Sequence, residues 1–131
     1  MTRTALAVVA VVFLAAGSIG HAHHSYAEFL DENVSVEGSL EKVAFANPHT
    51  VLTLRGPDAA LYTATWSAAF QLDRMGVSPS ELHVGDVVVI TGSPSRDPAA
   101  HQMARLREVR RPRDGWVWRA SSYQGPGNAP R

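Results

Sequence analysis

Three of the six histidines crowd residues 21–24, and a fourth, His49, follows Asn47-Pro48. A mature chain that begins at His23 offers two ligands from one residue, the free α-amine and the ring nitrogen nearest the backbone. The amine has an ordinary pKa of about 7.7–8.0, so a metal ion can displace its proton near neutral pH. An imidazole from His49 or His24 would complete three nitrogen ligands in a T shape, which suits Cu(II) best. The sequence therefore predicts a copper site at His23, His24 and His49.

Other interpretations of the histidines stay open. Cleavage after Gly20 would place His23 third from the terminus, in another arrangement that chelates Cu(II) or Ni(II). A histidine beside a cleavage site can also be functionless, and His49 can simply hydrogen-bond within the turn that it follows. His83 and His101 lie in predicted loops, where we expect ordinary surface side chains.

No strong catalytic constellation accompanies these histidines. The chain has no Cys, which excludes disulfides, thiolate zinc sites, iron–sulfur clusters and cysteine nucleophiles. P-loops, dinucleotide fingerprints and nucleophile elbows are also missing from the sequence. Asp86 and Glu81 have no visible partner, and Ser25 lacks an orienting acid at a diagnostic spacing. We assign no catalytic residue, and the sequence favours a binding protein over an enzyme.

A second candidate site is a groove for a small ligand or a protein, with Trp66 and Arg96 as contacts. Arg96 precedes Asp97, and we expect an ion pair between them that fixes their loop. Several aromatic side chains are candidates for the groove wall, although core packing is the more common role for such residues. They are Tyr26, Phe29, Phe45, Trp66 and Phe70.

Residues 1–22 have the pattern of a targeting segment rather than of folded structure. Arg3 precedes an apolar run over residues 5–16, and small residues follow at Gly20-His21-Ala22. This is the three-part pattern of a secretory signal peptide, and the apolar run is too short for a membrane span. The pattern predicts export to the periplasm or out of the cell, cleavage after Ala22, and no transmembrane anchor after processing.

Residues 23–120 predict a single small domain. Alternating apolar residues and turn signals predict five strands and one helix. The strands are expected over 34–45, 50–55, 61–66, 87–92 and 102–109, the helix over 68–75, and Trp116-Val117-Trp118 after a last turn. Strand 87–92 is the most hydrophobic and should be buried on both faces. Ser67 is the expected cap of the helix, and Ser78-Pro79-Ser80-Glu81 has the pattern of another helix start.

The order of these elements predicts an all-β fold with a short helix. An OB-fold has three strands, a helix and two more strands in this order, and its first strand is curved. The bend or bulge expected at Gly38 would supply that curvature. This fold is a five-stranded, partly open barrel, and a small β-sandwich is the alternative. Residues 121–131, rich in Ser, Gly and Pro, predict a disordered tail.

Charge is balanced over the chain but uneven along it. The formal net charge is zero at pH 7, which argues against a nucleic-acid binder. Residues 96–131 are basic, which makes an acidic protein a candidate partner. A solvated face is the more common role of arginines dispersed in this way.

Several motifs together resemble a known family. The motifs are His23-His24-Ser25-Tyr26-Ala27-Glu28-Phe29, Phe45-Ala46-Asn47-Pro48-His49, Trp66, Gly76-Val77-Ser78, Leu82-x-x-Gly85-Asp86 and Gly92-Ser93-Pro94-Ser95-Arg96-Asp97. Over about residues 22–115 the chain resembles a family of small exported proteins of Gram-negative bacteria, classed as a domain of unknown function. The H-H-S opening with a downstream N-P-H is the most specific part. The resemblance implies export and groups the motifs, and it implies no activity.

Three functions remain as alternatives. The leading hypothesis is a periplasmic binding module that holds copper through His23, His49 and His24. The second is a metal-free accessory domain that binds a protein or a small ligand through Trp66 and Arg96. The third, a copper-dependent redox enzyme, ranks last because a small barrel offers little surface to a substrate.

Overall fold

The computed structural model describes residues 26–123. The predicted signal peptide, the predicted ligands His23 and His24, and residues 124–131 of the predicted tail lie outside the described residues. Within 26–123, no helix is long and apolar enough to cross a membrane.

Strands dominate the described part of the chain. The elements are β1 (Val34–Ala44), β2 (Val51–Arg55), β3 (Leu61–Thr65), α1 (Ala69–Arg74), β4 (Val87–Pro94), β5 (Gln102–Arg111) and β6 (Trp116–Arg119). Single turns of 3-10 helix lie at Tyr26–Glu28 and Pro98–Ala100. The five predicted strands are all present, and β6 is a further strand where the sequence indicated only a turn and Trp116-Val117-Trp118.

The first five strands close into a barrel. In the order β3-β2-β1-β4-β5 each strand pairs antiparallel with the next, and β5 then pairs parallel with β3. β6 extends the sheet on the far half of β5. This closed five-stranded mixed barrel with one short helix confirms the predicted OB-fold order rather than the sandwich.

Strand β1 pairs with two neighbouring strands. Residues 34–39 of β1 pair with β4, and residues 39–44 pair with β2. The change of partner therefore lies next to Gly38, where the sequence predicted a bend. Gly38 is buried, and the backbone of Arg55 comes so close that a side chain at this position would collide with it. The register slips further along, between Leu40 and Lys42, so the bulge is not at the glycine.

The core fills the barrel with apolar side chains from every strand. Its fully or almost fully buried members include Leu40, Leu52, Leu54, Ala64, Trp66, Leu72, Val88, Ile90, Met103, Val109 and Trp118. In β4, Val89 and Thr91 are buried as well, which confirms that this strand is covered on both faces. Trp66 and Trp118 meet edge to face, with their ring centroids 5.0 Å apart.

Helix α1 is shorter than the predicted helix, and its cap differs. Ala68, not Ser67, is the capping residue, and its N–H donates to Gln71 Oε1 at 3.3 Å. Alanine has no side-chain acceptor, and other side chains bond at this helix end: Gln71 accepts from Ala68 N–H, and Asn47 Oδ1 accepts from Phe70 N–H at 3.3 Å. Gly76 follows the helix with φ +80°, the left-handed conformation expected of a helix stop.

The second predicted helix start is wrong. Ser78 and Ser80 hydrogen-bond through their hydroxyls at 2.7 Å, so neither hydroxyl caps a helix. The segment forms a turn and leads to the buried Leu82.

Candidate functional site

A cavity of about 650 Å³ opens where β3 and β5 separate. The parallel ladder between these strands holds two residue pairs and ends at Ala64 and Met103. Just beyond it, Arg105 has a backbone φ of +48°, and the pairing of β4 with β5 changes register opposite this part of β5. A non-glycine residue in the left-handed region interrupts a strand, since extended pairing needs a negative φ. β5 therefore leaves β3, and the space between them is the cavity.

The cavity wall combines aromatic rings with neutral polar side chains. Its residues come from the N-terminal segment, the β1–β2 loop, β3, the start of α1 and β5. They are Tyr26, Glu28, Phe29, His49, Thr63, Thr65, Trp66, Ser67, Gln71, Gln102, Ala104, Arg105 and Leu106. The permanently charged members are Glu28 and Arg105, which have opposite signs.

Residues 26–31, which we call the strap, form one side of the cavity and are tied to the barrel through their backbone. Leu30 N–H donates to Pro94 O, and Arg96 N–H donates to Glu28 O, both at 2.9 Å. The Arg96 side chain adds a third link, because its Nε donates to Ala27 O at 2.8 Å. Arg96 therefore positions the strap.

Arg105 also holds the strap. Its Nη2 donates to Leu30 O at 2.8 Å, and both terminal nitrogens lie 3.3 Å from Asp31 Oδ1. The guanidinium also lies 5.5 Å from the centroid of the Tyr26 ring, within the range of a cation–π contact. Sequence reasoning missed Arg105 as a site residue.

Three buried polar atoms have no hydrogen-bond partner among residues 26–123. They are Thr50 Oγ1, Trp66 Nε1 and Arg105 Nε. Trp66 and Arg105 both belong to the cavity wall, and Trp66 is only 3% exposed. A buried donor without an acceptor costs about 1–3 kcal/mol. Two residues of the cavity wall therefore each contain one buried donor that the described part of the protein does not satisfy.

Of the predicted copper ligands, the structure describes His49. It is exposed, follows the cis Asn47–Pro48 peptide bond, and lines the cavity together with Tyr26. Within residues 26–123, no group of three or more His, Asp or Glu side chains is arranged to hold a metal ion. The described residues alone therefore supply one candidate ligand of the predicted set.

The two predicted ligand contacts lie in different places. Trp66 is in the cavity wall, as a groove contact should be, although most of its ring is buried in the core. Arg96 is not in the wall, and it bonds to the strap instead of to Asp97. Asp97 Oδ1 accepts from Ala99 N–H at 3.0 Å, so the predicted ion pair between neighbours does not form.

A smaller cavity of about 370 Å³ lies near the start of β5 and is mostly apolar. Its wall includes Val34, Val36, Tyr62 and Met103. His101, expected on the surface, is half-buried there and meets Tyr62 edge to face at 4.8 Å between centroids. His83 is exposed, as expected.

Asp86, which had no visible partner in the sequence, is at the centre of a buried ion network. Arg111 Nη1 donates to it at 2.8 Å, Arg113 Nη2 lies 3.0 Å away, and His83 N–H donates at 3.0 Å. Burial alone would raise the pKa of Asp86, but the hydrogen bonds from His83 and Arg111 and the charges of both arginines hold that pKa below its ordinary value. The carboxylate therefore joins the loop before β4 to the end of β5.

Most arginines of the basic C-terminal third have carboxylate partners within the protein. The pairs are Arg105–Asp31, Arg110–Glu108, Arg119–Glu108, Arg111–Asp86, Arg111–Asp114 and Arg113–Asp86. This pairing leaves less positive charge for an acidic partner than the composition indicates.

Comparison with known proteins gives a family and no activity. Residues 10–104 match the family of unknown function DUF6152, and because the match covers most of the chain, the protein belongs to that family. No curated protein and no solved structure matches the chain. The predicted membership of a domain of unknown function is thereby confirmed.

Proposed function

We propose that this DUF6152 protein is an exported binding module that holds one Cu(II) ion beside the cavity, through the mature N-terminal His23 and through His49. One observation carries the proposal: His49 and Tyr26, the first residue described, line the same cavity. The chain that follows the N-terminal histidines is therefore held on the side of the barrel where His49 lies.

Covalent geometry limits how far the N-terminal histidines lie from this cavity. An extended residue spans at most about 3.6 Å, so the Cα of His24 lies within about 7 Å of the Tyr26 Cα, and that of His23 within about 11 Å. Tyr26 itself belongs to the strap, which Arg96 and Arg105 tie to the barrel. These two distance limits are small compared with the size of the barrel, and they support a site shared by the N-terminal histidines and His49.

The chemistry of the ligands favours copper. His23 would supply its α-amine and one ring nitrogen as a chelate, and His49 would supply a third nitrogen, with His24 as the alternative. Three nitrogen donors in a T shape suit the square-leaning Cu(II) ion, which also ranks highest in affinity among the divalent ions of the series. The signal-peptide pattern of residues 1–22 supports a periplasmic or secreted location, where such an N-terminus would arise by cleavage.

Metal titration of the processed protein tests the proposal. We expect one Cu(II) per chain, bound more tightly than Zn(II). The change His49→Ala should weaken copper binding by more than roughly tenfold, since loss of a ligand exceeds the effect of losing an outer partner. The matched control is His83→Ala, which removes an exposed histidine outside the cavity wall and should leave the affinity unchanged. Equal loss in both variants, or in neither, would overturn the role of His49.

A variant that retains Ala22 ahead of His23 tests the N-terminal chelate. Its free amine belongs to Ala22, so the chelate with the His23 ring cannot form, although every described residue is unchanged. Copper affinity should fall in this variant, and in the processed protein it should fall as the pH drops below the amine and imidazole pKa values, because protons compete for the ligands. An intact mass showing that the exported protein begins beyond His24 would refute the proposal.

A further inference from the structure

We propose that the cavity between β3 and β5 binds a small uncharged ligand rich in hydroxyl groups, of the chemical class and size of a mono- or disaccharide. This inference goes beyond the copper proposal and does not depend on it, because it rests on the strands and the strap that line the cavity and not on the histidines.

The cavity has the dimensions of a small-molecule site. Its volume of about 650 Å³ lies within the range of roughly 300–1,000 Å³ that such sites occupy. Two of its sides are strands of a closed barrel, which hold their side chains at fixed spacing. The strap closes a third side through backbone bonds from Leu30 and Arg96.

Neutral polar side chains converge on this cavity and have no side-chain hydrogen-bond partner among the described residues. Thr63, Thr65, Ser67 and Gln102 all line it, and none of their side chains makes a hydrogen bond to another of the residues 26–123. Thr63 and Gln102 are directly paired across the two strands. A hydroxyl donates one bond and accepts two, and an amide does both as well. A ligand with many hydroxyls matches such a set, because each of its groups also donates and accepts.

The charges of the wall disfavour an anionic ligand. Glu28 and Arg105 cancel formally, and the Arg105 terminal nitrogens already bond to Leu30 O and to Asp31. The wall therefore has no surplus cation for a phosphate or carboxylate. An anionic ligand would lose its hydration without a matching partner.

The aromatic residues supply the apolar part of the site. The rings of Tyr26, Phe29 and Trp66 lie in the same wall as the hydroxyls and amides. A sugar has this dual character, since its ring carries flat C–H faces and a rim of hydroxyls.

Calorimetry and thermal shift with a defined panel test the proposal. The probes are glucose, galactose, maltose, cellobiose and N,N′-diacetylchitobiose, with citrate and AMP as charged controls. We expect at least one sugar to bind and to raise Tm, to the same extent with and without Cu(II). If no sugar in the panel binds at 10 mM, or if citrate or AMP binds more tightly than every sugar, the proposal is wrong.

Paired substitutions locate the binding. Thr65→Val keeps the shape of the side chain and removes its hydroxyl, and it should weaken sugar binding about fivefold, the effect of one neutral hydrogen bond. Gln102→Ala should weaken binding by at least as much. The control is Thr53→Val on β2, opposite Thr63 but outside the cavity wall. Equal affinity in Thr65→Val, Gln102→Ala and the parent protein would refute this location, as would a loss in Thr53→Val.

The same experiments separate this proposal from the copper site. The variant that retains Ala22 ahead of His23 should lose copper affinity and keep sugar affinity, while Thr65→Val should do the reverse. Loss of both ligands in both variants would contradict the independence of the two sites. Circular dichroism of each variant confirms that the barrel is folded before affinities are compared.

Discussion

The two halves of β5 each contain an arginine that joins distant segments, and the two arginines differ sharply. Arg111 is buried and bonds to Asp86, which is 5% exposed. Arg105 is half-buried and pairs with Asp31, whose side chain is 93% exposed, while its Nε has no partner among the described residues. Arg105 also has a left-handed backbone. The Arg111 region is satisfied and stabilises the barrel, whereas the Arg105 region carries strain and unpartnered groups beside the cavity, as functional sites often do.

The difference in exposure determines how much each ion pair contributes to the free energy of unfolding. A pair in contact with water contributes about 0–1 kcal/mol, because water screens the attraction and two long side chains must be ordered. Removal of one partner from a buried pair costs about 3–5 kcal/mol, because the other charge stays buried without compensation. Asp86 belongs to a buried pair and Asp31 to an exposed pair, although both are aspartates paired with a β5 arginine.

The largest expected effect comes from the buried aspartate. We predict that Asp86→Asn lowers the free energy of unfolding by about 3 kcal/mol, since it leaves Arg111 buried with less negative charge nearby. The matched control, Asp31→Asn, should change it by less than about 0.5 kcal/mol. Urea unfolding of the three proteins at pH 7 measures both values. Similar losses in the two variants would show that the two halves of β5 do not differ as proposed.

Acid should reduce the contribution of the Asp86 carboxylate to the free energy of unfolding. The folded-state pKa of Asp86 is below its ordinary value of about 3.9, so its contribution is complete above that value and is lost as the pH falls through the lower, folded-state pKa. The pKa of Asp114 is also lowered, first by its hydrogen bond from Arg111. Unfolding of the parent protein and of Asp86→Asn between pH 6 and pH 2 should give curves that converge toward low pH. A gap that stays constant or widens in acid would contradict this assignment.

Much of the fold was predictable because its signals are local. The run from Val87 to Ile90 indicated a strand buried on both faces, and β4 is such a strand. Turn residues between the first three strands indicated antiparallel neighbours, which the barrel shows. The helix signals were less reliable, since the cap pattern at Ser78 favoured a helix where the chain turns inward to bury Leu82. Long-range packing decided that segment.

The candidate site was predictable only in part, because long-range contacts assemble it. Arg96 and Ala27 are far apart in sequence, and no local pattern links them. Arg105 did leave a signal that regular alternation does not explain. The core residues Met103, Leu106 and Val109 recur every third position rather than every second, and the first of these two steps spans the irregularity at Arg105. His49 and Trp66, in contrast, were singled out from the sequence and both line the cavity.

The smallest expected change in the free energy of unfolding comes from substitutions that test backbone strain at Arg105. Both Arg105→Ala and Arg105→Gly remove the bonds to the strap, and we expect Arg105→Ala to lower the free energy of unfolding by about 1–2 kcal/mol. Glycine adopts the left-handed backbone without steric cost, so Arg105→Gly should be more stable than Arg105→Ala, by up to about 1 kcal/mol. Arg107, two residues along the same strand without a positive φ, is the matched control. There the order should reverse, because glycine weakens an extended strand relative to alanine. Urea unfolding of the four variants measures whether the alanine or the glycine variant is more stable at each position. If the same residue is the more stable one at both positions, the backbone at Arg105 is not strained.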